Sequence, residues 1–306
     1  MYLDHLKSTQ AVTVAPSVSF SDVMQEAMYA TEVCGAADAY LIKAEAEMLV
    51  LGSESEAASG FWAKVKTVIR KIWEAIKNLA NKIYIFIKSI PGKIMAFYQK
   101  AVMKHSLKNL PELWKKAKAE GRLAAAKDKG IKYIDDNKSL DFEFSVGLNR
   151  VDVKDIKDVV AKLREENAKI RDEFRKKMNG KDSDFWVGAS TLKDADVAEL
   201  ITAAKSGKLP PEADKFIKEC EKRANDLRKM SDAETKKYDA AYKNKDQEAA
   251  KKITENLSAI RSMLVENATC ANFGASMIFR ALSSKANAIK SIAGLAGKEE
   301  PKSSKN

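Results

Sequence analysis

Apolar residues recur every three or four positions through the stretch that begins near Phe61 and reaches Pro91-Gly92. This spacing places them along one side of an α-helix, and four heptads without a miss are typical of a helix that packs against other helices. A helix over 61–90 would be about 43 Å long. We expect the proline and glycine to end it. The predicted packing seam consists of Trp62, Val65, Ile69, Ile72, Ile76, Leu79, Ile83, Phe86 and Ile90.

A second periodic pattern occupies the N-terminal region. Ser19 followed by Asp22 resembles a capping box, and apolar or small residues then repeat at helical spacing from Phe20 to Leu51. Many of them are alanine-sized, which allows a neighbouring helix to approach closely. Residues 52–60 have a glycine at each end and no apolar side chain larger than alanine. We therefore predict a helical segment and an exposed linker within residues 1–60.

The helical periodicity continues beyond Pro91. Asn109 and Pro111 are typical of a helix start, and Ser231 with Glu234 has the pattern of another capping box. The predicted helices cover the stretch from Ile94 to His105, a segment from Asn109 that weakens at Gly121 and Gly130, and residues 152–179, 191–206, 212–229 and 246–292.

One region has a different pattern. Leu140, Phe142, Phe144 and Val146 alternate with polar residues near an Asp-Asp-Asn turn, which predicts one short hairpin within 131–148. The chain has only 13 Gly and 6 Pro in 306 residues, too few for an all-β protein. We predict a mainly all-α fold, a multi-helix bundle with long helices and one small β-hairpin. Its predicted parts are the N-terminal segment (1–60), basic helices (61–130), a helical domain with the hairpin (131–296) and a disordered tail (297–306).

Charge is distributed unevenly along the chain. The net charge is +11, but residues 1–60 carry nine acids and two bases, whereas residues 61–108 carry eleven bases and one acid. The net charges of the two blocks are −7 and +10. Such asymmetry indicates that the blocks neutralise each other or that one of them meets an outside partner. We hypothesise that residues 1–56 mask the basic block until they are displaced or removed.

Patterns that carry chemistry are scarce. His5 and His105 lie far apart, and the three cysteines have no paired spacing typical of a metal or redox site. The sequence contains no phosphate-binding glycine loop, nucleophile elbow or zinc-protease helix. Asp194-Ala-Asp196 is better explained by helix capping than by a bound cation. We expect no enzymatic activity, cofactor, metal or small-molecule substrate.

The basic helix allows three interpretations. In the first, the lysines form the solvent-exposed side of a helix that is packed in a bundle. In the second, that exposed side contacts a polyanion such as DNA. In the third, the helix lies on an anionic membrane surface. The first interpretation is favoured by a seam spaced for helix packing. For the second, the candidate polyanion-binding residues are Lys64, Lys66, Arg70, Lys71, Lys77, Lys82, Lys88 and Lys93.

The arrangement around residue 60 resembles a known class of protein. An acidic helical segment, the junction Ser53-Glu-Ser-Glu56 with Ala57-Ala58 after it, and the run GFWAKVKTVIRKIWEAIK from Gly60 are similar to virion structural proteins of large tailed bacteriophages, particularly internal head proteins. The resemblance covers residues 20–95. It implies a place in the interior of the phage head, after assembly in the host cytoplasm, with packaged DNA and with other virion proteins or further copies of the chain as partners.

The same resemblance implies a candidate processing site. Maturation proteases of such phages cut after glutamate, which would place the cut between Glu56 and Ala57. Glu54 stands where these sites usually have an aliphatic residue. Two functional hypotheses follow: a non-catalytic virion structural protein that is held in the particle by helix packing and basic charge, or a membrane-active or membrane-surface protein that uses helix 61–90.

Overall fold

The computed structural model describes residues 58–103, 109–135, 144, 146, 148, 156–179, 185–244 and 246–294. The predicted N-terminal helix, most of its linker, the candidate processing site, His105 and the C-terminal tail lie outside these residues. The described helices are α1 (Ala58–Met103), α2 (Leu110–Ala119), α3 (Arg122–Asp128), α4 (Ile156–Asn179), α5 (Asp194–Ser206), α6 (Pro211–Lys243) and α7 (Gln247–Ile292). The strands are β1 (Lys132–Ile134) and β2 (Trp186–Gly188), and a short 3₁₀ turn covers Ala189–Thr191.

The core is a bundle in which α1, α6 and α7 pack against one another, and α4 packs on α7. Both α1 and α7 are 46 residues long, about 69 Å each. Asp246 caps the start of α7, because its side chain accepts a hydrogen bond of 2.9 Å from the Ala249 N–H. The predicted fold class, mainly all-α with a small sheet, is confirmed.

The end predicted for the basic helix is wrong. α1 does not stop at Pro91-Gly92 but continues to Met103 and absorbs the separate helix predicted from Ile94. A proline inside a helix costs roughly 3 kcal/mol because it cannot donate its backbone hydrogen bond. Here the helix is buried on both sides of the proline, and this packing outweighs the local cost. The buried residues that flank Pro91 are Ile87, Ile90, Ile94, Met95 and Tyr98.

The capping box predicted at Ser231 and Glu234 is also wrong. Both residues lie inside α6, which extends to Lys243, and each is only 1% exposed. The Glu234 carboxylate accepts hydrogen bonds from Asn256 of α7 at 2.9 Å and from Lys237 at 3.0 Å. The sequence pattern of a cap therefore belongs to a buried polar contact between two helices.

The two-stranded sheet differs from the predicted hairpin in its second strand. β1 lies within the predicted segment, but it pairs antiparallel with β2, so that Ile134 stands opposite Trp186. Phe144 and Val146, two residues of the predicted hairpin, lie in irregular backbone. The connection from α3 to β1 uses Gly130 at φ 61°, with the Ile131 N–H bonded to the Ala126 carbonyl in a Schellman arrangement.

Candidate polyanion-binding surface

The seam of α1 forms the buried side of the helix. Trp62 and Val65 are part of the helix, although their side chains are not among those described. The other members are shielded because α6 and α7 pack on this side. They are Ile69, Ile72, Ile76, Leu79, Ile83, Phe86 and Ile90, none of which is more than 7% exposed.

The basic residues of α1 lie away from the seam. The helix contains nine Lys or Arg residues and a single acid, Glu74. Of the predicted set, Lys93 is half-buried, the Lys64 side chain is not described, and the rest are exposed. The exposed members are Lys66, Arg70, Lys71, Lys77, Lys82 and Lys88.

The lysines form two rows along the helix. Lys66, Lys77 and Lys88 are spaced by eleven residues, and so are Lys71, Lys82 and Lys93. Eleven residues are close to three whole turns of an α-helix, so each set runs nearly straight along the axis. We call these sets the first and second lysine rows. They lie on either side of the outward face of α1, and Lys100, which the sequence interpretation left out, extends the second row by two more turns.

Aromatic rings hold the first row in place. The Lys66, Lys77 and Lys88 ammonium groups lie 5.0, 4.8 and 5.8 Å from the ring centroids of Tyr242, Trp73 and Tyr84. Such contacts limit the conformational freedom of a lysine and leave its charge facing solvent. In the second row, Lys93 lies 5.4 Å from the Phe86 ring centroid in the same way.

The rings under the first row are anchored to α6. The indole N–H of Trp73 donates to Asp232 at 3.3 Å. A hydrogen bond from Tyr84 to Glu221, together with the charge of that carboxylate, raises the pKa of the tyrosine. Two acids therefore border the first row, while the only acid of α1 itself, Glu74, pairs with Arg70 at 3.2 Å.

The outward face between the rows carries little charge. Thr67, Asn78 and Ile85 lie there, followed by Gly92, whose surroundings are open, and the one charged side chain among them, Glu74, is paired with Arg70. Ile85 is 66% exposed and is the only large apolar side chain so exposed in the described part of the chain. The surface thus consists of two cationic borders and a nearly neutral middle.

Several ionisable groups elsewhere are engaged in structural contacts. Burial, followed by a hydrogen bond to Cys270, raises the pKa of the Cys220 thiol, which disfavours the reactive thiolate. Lys285 lies 3.1 Å from Asp196 and 3.2 Å from Glu199. Asp196 also accepts from the Lys193 N–H at 2.7 Å, the helix-capping role expected from the sequence. No group of three or more potential metal ligands occurs among the described residues.

None of the described helices combines the length and the apolar character that a membrane crossing requires. No protein-family model, curated protein or solved structure matches this chain.

Proposed function

We propose that this chain is a non-catalytic structural protein that binds duplex DNA without sequence preference through the two lysine rows of α1. The observation that carries the proposal is the pair of rows, each with an eleven-residue spacing and with only Glu74 as an acid on the same helix. The resemblance of residues 20–95 to internal head proteins of tailed bacteriophages suggests the setting: packaged DNA inside a capsid, with other virion proteins or further copies of this chain as neighbours.

The lysine spacing suits a duplex that lies along the helix. Eleven residues correspond to about 16 Å of helix. One turn of B-DNA is about 34 Å long and contains two backbones, so a line along one face of the duplex crosses a backbone every ~17 Å on average. The crossings are unevenly spaced because the major groove is wider than the minor groove, but over two repeats a row of lysines parallel to the DNA axis keeps step with the backbones.

The neutral middle of the surface favours binding that ignores sequence. Reading of bases requires several side chains that donate or accept hydrogen bonds in a groove. Between the rows, the exposed side chains near the centre that form hydrogen bonds are Thr67, Glu74 and Asn78, and Glu74 is engaged by Arg70. Phosphate contact supplies affinity but carries no base information.

The membrane alternative uses the same helix differently. An amphipathic helix binds a bilayer by inserting its apolar side. In α1 that side is the seam, and residues such as Ile72 and Ile83 are fully buried against the bundle. Insertion would have to separate α1 from α6 and α7, whereas DNA binding leaves the bundle intact.

A direct comparison of the two ligands tests the proposal. The full chain is titrated into labelled 30-base-pair DNA of two unrelated sequences and into vesicles of anionic lipid. We expect similar affinity for both DNA sequences, loss of binding as salt rises, and no vesicle leakage. Leakage without DNA binding would favour the membrane function instead.

The virion setting needs a separate measurement. Mass spectrometry of purified virions from the source of the chain should find the protein at stoichiometric copy number. Its absence from particles, with DNA binding intact, would remove the virion assignment and leave the DNA-binding activity.

A further inference from the structure

We infer that a groove between α7 and the small sheet is a nucleotide-binding site, distinct from the lysine rows. The groove has a volume of about 700 Å³, within the usual range for small-ligand sites. One wall is the exposed side of α7 from Ser276 to Ser291, and the opposite wall is formed by β1 and Trp186. No lysine of either row lines it.

The α7 wall places several polar side chains and one cation among apolar residues such as Met277 and Phe279. Ser276, Arg280, Ser283 and Asn287 follow one another at spacings of three or four residues, so they lie on one side of the helix. Arg280 is exposed and has no ion pair within the described part of the chain. The Ser283 hydroxyl is shielded from solvent and lacks a hydrogen-bond partner there. This oxygen is closed to the groove as well as to solvent, so the exposed polar groups of this wall are those of Arg280 and Asn287.

The opposite wall supplies an aromatic surface and a second cation. Trp186 is half-buried and stands opposite Ile134 in the sheet, which fixes its position. Lys132 also lines the groove. The Ser284 hydroxyl accepts a hydrogen bond of 3.2 Å from the Ile134 N–H, so β1 is tied directly to α7. The two walls are therefore joined at this point in the absence of a ligand.

This combination identifies the chemistry of the ligand. No acidic side chain is among the described residues that line the groove. The two cations in the lining, Arg280 and Lys132, favour an anion, and Arg280 offers the planar donor pair that suits phosphate. Trp186 offers a face on which a nucleobase stacks. A base joined to a phosphate satisfies both, either as a free nucleotide or as one nucleotide of an exposed single strand.

Calorimetric titration of the full chain with adenosine monophosphate tests the site. Adenosine alone and inorganic phosphate alone should each bind at least about tenfold more weakly, because each engages only one wall. Arg280→Gln should weaken nucleotide binding about tenfold or more. Trp186→Ala should do the same, whereas Trp186→Phe should largely retain binding because it keeps an aromatic face.

Two controls make the result specific. Lys162→Gln removes one exposed positive charge from α4, far along the chain from the groove residues, and should leave nucleotide affinity unchanged. A variant with Lys77, Lys82 and Lys88 changed to Gln should bind duplex DNA more weakly but keep its affinity for the nucleotide. Failure of the lysine-row proposal is thus distinguishable from failure of this one.

The source of the nucleotide is settled by competition. A labelled four-nucleotide single strand that adenosine monophosphate displaces would identify a strand-binding site. Binding of the mononucleotide alone would identify a site for free nucleotides. No binding of either ligand at millimolar concentration, or equal weakening by Arg280→Gln and Lys162→Gln, would overturn the inference.

Discussion

The buried ion pair between Arg223 and Glu166 shows how single residues organise this fold. Their side chains are 3% and 8% exposed, and they meet at 2.9 Å. Arg223 also donates to the Val146 carbonyl at 2.9 Å, and Glu166 accepts from the Val146 N–H at 3.0 Å. The pair therefore ties the irregular backbone at Val146 to α4 and α6. The Arg223 guanidinium lies 4.1 Å from the Phe144 ring centroid, which adds a further contact.

We predict that Arg223→Ala lowers the free energy of unfolding by about 3–5 kcal/mol, because it leaves the Glu166 carboxylate buried without its partner. The double variant Arg223→Met with Glu166→Leu should lose much less, since no buried charge remains. Urea denaturation of the three proteins measures both values. Equal losses in the single and double variants would show that packing of Arg223, not its charge, stabilises the region.

At the scale of the element, α1 has a buried and an exposed isoleucine that can be compared directly. Ile76 is 1% exposed in the seam, whereas Ile85 is 66% exposed on the outward face. Ile76→Asp should cost roughly 3 kcal/mol or more, because the carboxylate would be buried without a partner. Ile85→Asp should change stability by only about 0.5 kcal/mol. Thermal melts of both variants measure these two losses of stability. A similar melting temperature for the two variants would contradict the burial of the seam.

Two glycines give a second comparison between elements. Gly274 of α7 faces the Phe216 ring of α6 so closely that an added Cβ would collide with it, whereas a Cβ at Gly92 of α1 would meet nothing within 4 Å. Gly274→Ala should therefore destabilise the fold by about 1–3 kcal/mol through overpacking. Gly92→Ala should stabilise it by about 0.5–1 kcal/mol, because alanine loses less backbone entropy in a helix. The denaturant midpoints of the two variants show whether each change lowers or raises the stability. Stabilisation by Gly274→Ala would contradict the close approach of α6 and α7.

The long helices could be predicted from sequence because burial of one side imposes a period of three to four residues. The ends of the elements could not. Pro91 normally stops a helix, and only the packing of residues such as Ile94 and Tyr98 explains why α1 continues. Ser231 and Glu234 have the spacing of a cap, but Glu234 bonds Asn256 more than twenty residues away. Local patterns contain no information on such distant partners.

The two candidate sites also differ in whether the sequence alone could reveal them. The exposed bases of α1 are visible in the sequence because charge and periodicity are both local properties. The eleven-residue spacing of the lysines was also present there, and Lys100, seven residues or about two helical turns after Lys93, could have been recognised as a continuation of the second row. The groove could not be found, because Trp186 and Arg280 come together only through the pairing of β1 with β2 and the packing of β1 on α7.

At the scale of the whole molecule, the charge of the N-terminal segment should regulate the lysine rows. That segment lies outside the described residues, and its masking role stays a prediction from the −7 and +10 charge blocks. A chain that begins at Ala57 should bind duplex DNA more tightly than the full chain at low salt. The difference should shrink as salt rises, because screening weakens the acidic segment's effect. Equal binding by the two chains at low salt would eliminate masking.

The central claim is that duplex DNA lies on the lysine rows of α1, and the salt dependence of binding tests it most directly. The matched variants change Lys77, Lys82 and Lys88 to Gln, or the exposed Lys162, Lys169 and Lys215 of α4 and α6 to Gln, so that both lose the same charge. Each lysine that contacts a phosphate contributes about −0.9 to the slope of log affinity against log salt concentration. We predict that the α1 variant has a slope shallower by about 2 to 3 and that the control keeps the original slope. An unchanged slope in the α1 variant, or an equal change in both, would contradict the account.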